Sequence, residues 1–241
     1  MRKLNFEIKI SGVLLFGILL TLIFANSSCN GGVGSKNISE GEIEFQIEYL
    51  DNERDNPLIA LLPTKMTTFF RENSSFTLIE GFFGTFKLGY ILNFNERMNY
   101  SLLQILDKKY VYQSDLSKMA FGYQKMDELN ISYTERRKKI AGFNCKHAQA
   151  IYNNMQDTVQ LYYTDEINLL HPNLTNPFNE INGVLMEFTV NLANINMKFT
   201  ADKVTSKNID WDLFNLPKGY VNVSEAEMKK IIDDFNNPAD K

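Results

Sequence analysis

Residues that carry chemistry are scarce in this chain. Of 241 residues, two are cysteines, Cys29 and Cys145, two are histidines, His147 and His171, and one is tryptophan. Two cysteines exclude a disulfide framework. The histidines lie 24 positions apart with no carboxylate-rich spacing around either, and a zinc site needs three or four convergent ligands. No Gly-x-Ser-x-Gly elbow, phosphate loop or Cys-x-x-Cys is present. Asp165-Glu166 and Asp233-Asp234 are adjacent pairs, and neighbours on a strand or helix point apart, so neither is a natural acid–base dyad. Basic charge is in deficit as well: 25 Lys and Arg against 29 Asp and Glu give a net −4. A nucleic-acid binder needs a basic face to displace counterions from phosphate. These absences predict a protein that is not an enzyme, holds no metal or cofactor, and binds no nucleic acid.

What is present begins at the N-terminus. Arg2 and Lys3 precede an apolar stretch from Ile10 to Ala25, then small residues Ser27 and Ser28, then Cys29. A positive start, a short apolar run and small residues make a secretory signal peptide. The run is shorter than the ~20 residues of a spanning helix. With cysteine first after the cut, the pattern resembles a bacterial lipoprotein signal, which implies acylation of Cys29 and membrane attachment through that lipid. Asn26 stands where the usual lipobox has Leu. The expected organisation is a signal peptide over 1–28, a flexible tether over 29–41 that starts Asn30-Gly31-Gly32-Val33-Gly34, and one β-rich domain over 42–241. That tether lacks the acidic cluster resembling a surface-export signal, so the expected location is the outer membrane, facing the periplasm. With Cys29 acylated, Cys145 has no partner and reads as a buried, inert hydrophobe.

Strand patterning dominates the rest. Glu42–Tyr49 alternates, with Ile43, Phe45, Ile47 and Tyr49 on one face and Glu42, Glu44, Gln46 and Glu48 on the other. Asn194–Asp202 repeats the pattern. Between them lie short runs separated by polar turns: Met66–Glu72, Ser75–Ile79, Thr85–Phe94, Arg97–Leu106, Tyr110–Gln113, Ile131–Arg137, Cys145–Tyr152, Thr158–Thr164 and Val184–Val190. The fold class this predicts is mainly β: a curled antiparallel sheet or incomplete barrel with few helices. Gly81 and Gly84 bracket Phe82-Phe83, a candidate bulge. Gly183 is expected at a turn with positive φ. Asn56–Leu62 and Asp115–Phe121 are candidate short helices. Ser224–Phe235 is the clear helix, with a Ser224/Glu227 capping box, a Val223–Met228 staple and an apolar stripe of Met228, Ile231, Ile232 and Phe235. The basic run Arg136-Arg137-Lys138-Lys139 reads either as a charged edge that discourages aggregation or as a contact for anionic headgroups.

One stretch suggests a family. Lys139-Ile140-Ala141-Gly142-Phe143-Asn144-Cys145-Lys146-His147-Ala148 is followed by Val159-Gln160-Leu161-Tyr162-Tyr163-Thr164, then by Ile181-Asn182-Gly183-Val184-Leu185. This resembles secreted Bacteroidetes proteins that carry a Gly-Leu-Pro-Gly-Leu-Ile-like signature, over roughly residues 42–220. Tyr162 stands where Trp is usual, and Asn182-Gly183 where Pro-Gly is usual. The resemblance implies the fold of periplasmic lipoprotein carriers, an incomplete barrel with an apolar concave face and short helices as a lid. The chain also has 18 Phe, 11 Tyr and 9 Met, soft residues that suit an adaptable apolar cavity. Candidate ligand-lining residues are Phe45, Ile47, Phe69, Phe82, Phe83, Met186, Phe188, Met197 and Phe199. The expected partner is a lipid or other hydrophobic molecule bound by a monomer. A filled core without a cavity is the alternative, and with it a structural or partner-binding role in the envelope.

Overall fold

Among the described residues twelve strands form one open sheet, antiparallel but for one short pairing. The computed structural model describes residues 37–51, 62–81, 84–123, 129–152, 158–193 and 195–236. Cys29, Phe82, Phe83 and the candidate helix before Leu62 lie outside the described residues. The first meander is β1 (Glu40–Tyr49), β2 (Lys65–Arg71), β3 (Ser74–Glu80), β4 (Phe86–Asn93), β5 (Met98–Ile105) and β6 (Lys108–Asp115). The second is β7 (Leu129–Ile140), β8 (Phe143–Tyr152), β9 (Thr158–Thr164), β10 (Val184–Leu192) and β11 (Ile195–Ser206). Antiparallel pairing of β1 with β11 joins the two meanders. A two-residue strand, β12 (Val221–Asn222), pairs with β6 in parallel, and the order across the sheet is β12-β6-β5-β4-β3-β2-β1-β11-β10-β9-β8-β7. The architecture is the mainly β, incompletely closed sheet that the alternation predicts.

The β1–β11 seam shows how the pattern becomes structure. Ile43, Phe45 and Ile47 face the main core, as do Met197, Phe199 and Ala201 across the seam. On the other face β1 presents acids and β11 bases: Glu44 pairs with Lys203 (3.2 Å), Glu48 with Lys198 (3.6 Å), and Glu42 with Lys207 just past the strand. We call the main-core face inner and the charged face outer.

Both faces of β2–β6 are covered. On the outer face Ile91, Tyr100, Leu102 and Val111 pack beneath Ile209, Phe214 and neighbours of the segment after β11, including the 3₁₀ turn Trp211–Phe214. Arg71 clasps this segment: its Nη1 donates to the Ile209 carbonyl (2.7 Å), and its guanidinium sits 4.7 Å from the Trp211 ring centroid. Buried Asn93 donates to the Phe214 carbonyl (3.1 Å). On the inner face helix α1 (Glu225–Asn236) lays Met228 and Ile232 against Leu103 and Phe121. Its capping box forms as expected, with the Glu227 carboxylate accepting from the Ser224 N–H and hydroxyl (both 2.7 Å). Val223 packs in the same cluster, and Phe235 stacks on Phe86.

Two expectations are corrected. Asp115–Phe121 is not a helix: Asp115 ends β6, and its carboxylate accepts from the N–H and hydroxyl of Ser117, which turns the chain. Gly183 is not required by positive φ but by close approach. A Cβ there would lie 2.6 Å from Cδ2 of Tyr163 and 3.0 Å from the Thr164 carbonyl oxygen.

The edge strand β7 carries the basic run. A bulge between Thr134 and Arg137 breaks its pairing with β8, and Arg136, Arg137, Lys138 and Lys139 are exposed along it. Charge and bulge together blunt an edge against further strand pairing.

Candidate functional site

Residues 165–183, between β9 and β10, cross the inner face. A connection this long without strand or helix of its own is uncommon in a compact domain and is often functional. It starts on a parallel bridge between Ile167 and Ile38, with the Asn168 N–H donating to the Ile38 carbonyl (2.8 Å). It ends with Phe178 and Ile181 fully buried against the sheet. Asn173 organises what lies between. Its side chain is buried, and its amide donates to the carbonyls of Ile181 (2.8 Å) and Gly183 (2.9 Å) while its oxygen accepts from Asn176. Asn176 in turn accepts from the Phe178 N–H (2.9 Å). The turn is held by its own side chains, so it is a preformed cap rather than a loose loop.

Between this cap and the sheet lies a crevice of about 90 Å³. Ile43, Phe45, Met66, Phe178, Phe188 and Val190 make its apolar wall; Thr68, Ser75, Thr77, Asn173 and Asn176 give it a polar side. The hydroxyls of Thr68 and Thr77 are 2.9 Å apart across β2 and β3. Tyr123 closes one end, and burial pushes its phenol well above the usual range, as it does that of neighbouring Tyr90. The Tyr90 hydroxyl donates to the Phe121 carbonyl (3.0 Å).

The sequence-predicted lining residues fall into distinct places. Phe45 and Phe188 line the crevice, edge to face at 6.0 Å. Phe199 stacks beneath Phe188 at 5.1 Å. Ile47, Met186 and Met197 are buried in the same core without lining the crevice. Phe69 lies on the opposite, outer face, stacked on Phe76 at 6.2 Å with the Lys207 ammonium above its ring. It and Phe70 are neighbours on one strand, so only one of them can face inward. Met66, Tyr123, Asn173 and Phe178 are contributors that strand alternation does not reveal; the length of the β9–β10 connection is the signal that points to the last two.

The outer face of the second meander holds a polar network around a buried histidine. His147 is 1% exposed. Its Nε2 lies 2.8 Å from Oε1 of Gln160, an oxygen that also accepts from Gln149, and its Nδ1 lies 2.7 Å from the Thr134 hydroxyl. Nε2 therefore carries the proton, and both ring nitrogens are occupied, leaving neither for a metal or a substrate. Beside it the Glu187 carboxylate takes the Lys138 ammonium (2.7 Å), which also lies 5.2 Å from the Tyr162 ring. Cys145 is fully buried, its thiol pushed up to about 11 by burial, which removes nucleophilic character near neutral pH. Among the described residues no group of three or more His, Cys, Asp or Glu is placed to hold a metal ion. No helix among them is long and apolar enough to cross a membrane.

No protein-family model matches the chain, and no curated protein matches its sequence. Among solved structures the chain is similar to PNGF-II in two crystal forms. One matches at 14% identity and a TM-score of 0.51 over 80% of this chain and 33% of that one; the other at 14% and 0.50 over 80% and 32%. At that identity the likeness shows the fold alone, and this chain spans about a third of the PNGF-II chain.

Proposed function

We propose that this chain is a non-enzymatic lipoprotein, tethered by an acylated Cys29 to the outer membrane and facing the periplasm, that binds a lipid or other hydrophobic ligand on the inner face of its sheet. The observation that carries the reading is the two-sided character of the crevice under the 165–183 cap. Phe45, Phe178 and Phe188 offer an apolar wall, and Thr68, Thr77 and Asn176 offer polar groups beside it. Ligand pockets combine a mostly apolar lining with a few placed polar groups in this way.

Size sets the mechanism. About 90 Å³ is less than the ~150 Å³ that admits benzene in an engineered cavity, and far less than an acyl chain occupies. Entry therefore requires the cap to move. Asn173 bonds to Ile181 and Gly183, within or beside the cap itself, so the bond that a swing of the turn around Pro172–Asn176 has to break is the one from the Ala120 N–H to the Thr175 carbonyl (2.8 Å). Displacing Phe178 frees space against Phe188, whose ring centroid lies 6.3 Å away.

A second reading has its own observation: the inner face is largely filled, and that favours a structural or partner-binding envelope protein. Native mass spectrometry of the full-length protein extracted in detergent separates the two. Co-purifying lipid beyond the Cys29 acyl group supports the first. An empty spectrum, together with one stoichiometric protein in crosslinked envelopes, replaces it with the second. Cys29→Ser tests the anchor separately, since loss of membrane attachment with an unchanged melting temperature is expected.

A further inference from the structure

A second cavity opens where the β4–β5 turn, the end of β6 and the cap meet. It measures about 300 Å³ and shares no lining residue with the crevice; Phe94, Arg97, Leu116, Ser117, His171 and Leu174 surround it. That volume reaches the lower end of small-molecule pockets, about 300–1,000 Å³.

Its chemistry is asymmetric. Arg97 is exposed and makes no ion pair with a described carboxylate, while the acids beside it are engaged. Glu96 accepts from the Tyr100 hydroxyl (2.7 Å), and Asp115 accepts from the N–H and hydroxyl of Ser117. The guanidinium thus keeps its planar fork of donors for an incoming anion. The Phe94 and His171 rings lie near-parallel, 13° apart in plane with centroids 6.4 Å apart, an offset arrangement that lines the cavity with aromatic surface. Leu116 and Leu174 supply apolar surface.

The backbone at His171 sets it apart. Six non-glycine residues among those described have positive φ; five occupy β-hairpin turns, and His171, at +52°, does not. It also precedes Pro172, which narrows the conformations open to it. A residue held in such a conformation outside a tight hairpin points to a requirement on where its side chain is placed. Here the result is the ring stacked on Phe94.

We infer that this rim cavity binds a small aromatic anion, its carboxylate or phosphate forked onto Arg97 and its ring laid along the Phe94–His171 wall over Leu116 and Leu174. The site shares the 165–183 cap with the crevice but none of its lining residues, and its test does not require a lipid in the crevice. The test titrates the full-length protein in detergent with benzoate, phenyl phosphate and the uncharged isostere benzamide. Benzoate or phenyl phosphate should bind saturably, whichever is tighter naming the anionic group, and benzamide should bind at least about tenfold more weakly. Arg97→Gln should lose about tenfold or more in affinity for the anion with an unchanged melting temperature. Equal binding of all three probes, no saturable binding at millimolar concentration, or wild-type affinity in Arg97→Gln overturns the proposal. Should that variant fail to fold, His171→Asn retains a residue tolerant of left-handed backbone but removes the ring. It should weaken the anion about threefold or more, and unaltered affinity there overturns the proposal equally.

Discussion

The two halves of the sheet solve the same problem differently. In the first meander β4 and β5 are buried on both faces, beneath helix α1 and the cap side on one and the Trp211–Phe214 segment on the other. Strands covered twice need apolar residues at both parities, so Leu88–Leu92 and Tyr100–Leu103 read as runs. Gly89 sits among them because a Cβ there would meet the Phe76 ring at 3.1 Å. In the second meander and the seam the outer face carries polar and charged side chains, some buried among themselves as around His147; β1 alternates along its length, and β11 alternates as far as Asp202, where a bulge sets Lys203 on the same outer face. Stability is expected to be concentrated where the inner core is continuous, and to be modular where a separate segment merely covers the outer face.

The largest test of that contrast removes one fully buried phenylalanine from each side. Phe178→Ala, in the inner core, should cost about 3–5 kcal/mol, lowering the melting temperature by roughly 6–20 °C for a domain of this size. Phe214→Ala, on the outer face, should cost about 2–3 kcal/mol, and hydrogen exchange should rise in residues 207–222 while the seam stays protected. Equal deprotection of the seam in both variants would break the distinction. Next in size is Asn173→Ala. It leaves the Ile181 and Gly183 carbonyls without their donor, at about 1–3 kcal/mol, and faster exchange confined to the cap is the expected signature.

Alkaline pH sharpens the comparison at smaller cost. Buried Tyr90 and partly buried Tyr123, both on the inner face, titrate above their ordinary 10.0 because burial penalises the phenolate. The folded state then holds protons that the unfolded chain releases. Stability is intact below pH 10 and falls as the pH rises from there, by at most roughly 1.4 kcal/mol per pH unit for each phenol. The last of the phenolate absorbance should appear together with loss of tertiary circular dichroism; ionisation of all tyrosines before unfolding would refute it. The smallest effect is Ser224→Ala, about 1 kcal/mol from the lost cap, read as fraying at the start of α1 with the sheet unchanged.

How much was legible in the sequence follows the same division. Alternation at Glu42–Tyr49 located β1 to within two residues, and the Ser224/Glu227 box located α1 to within one. Phe69 was misread although parity favours Phe70 as the inward residue: Phe69 shares its face with Lys65, Thr67 and Arg71, and Phe70 shares its face with Met66. His147 stands on the polar face, as its parity indicates, yet Gln160, Thr134 and Tyr162 close over it, and that burial depends on register across three strands. The segment over residues 207–220 has no periodicity to read, since its residues dock singly through Arg71 and Asn93. β12 is two residues long, and its parallel pairing with β6 has no local signal.

The position of β1 has a mechanical consequence. The strand nearest the N-terminus is not an edge but the middle of the sheet, hydrogen-bonded to β2 on one side and β11 on the other. Its ladder bonds run perpendicular to the strand axis. A pull along the chain from an anchored N-terminus would load both ladders in shear, all bonds at once, where an edge strand would peel away bond by bond. The Glu44–Lys203 and Glu48–Lys198 pairs add resistance to sliding in register. A domain pulled from its first strand would therefore bear the load on both ladders together rather than yield one bond at a time.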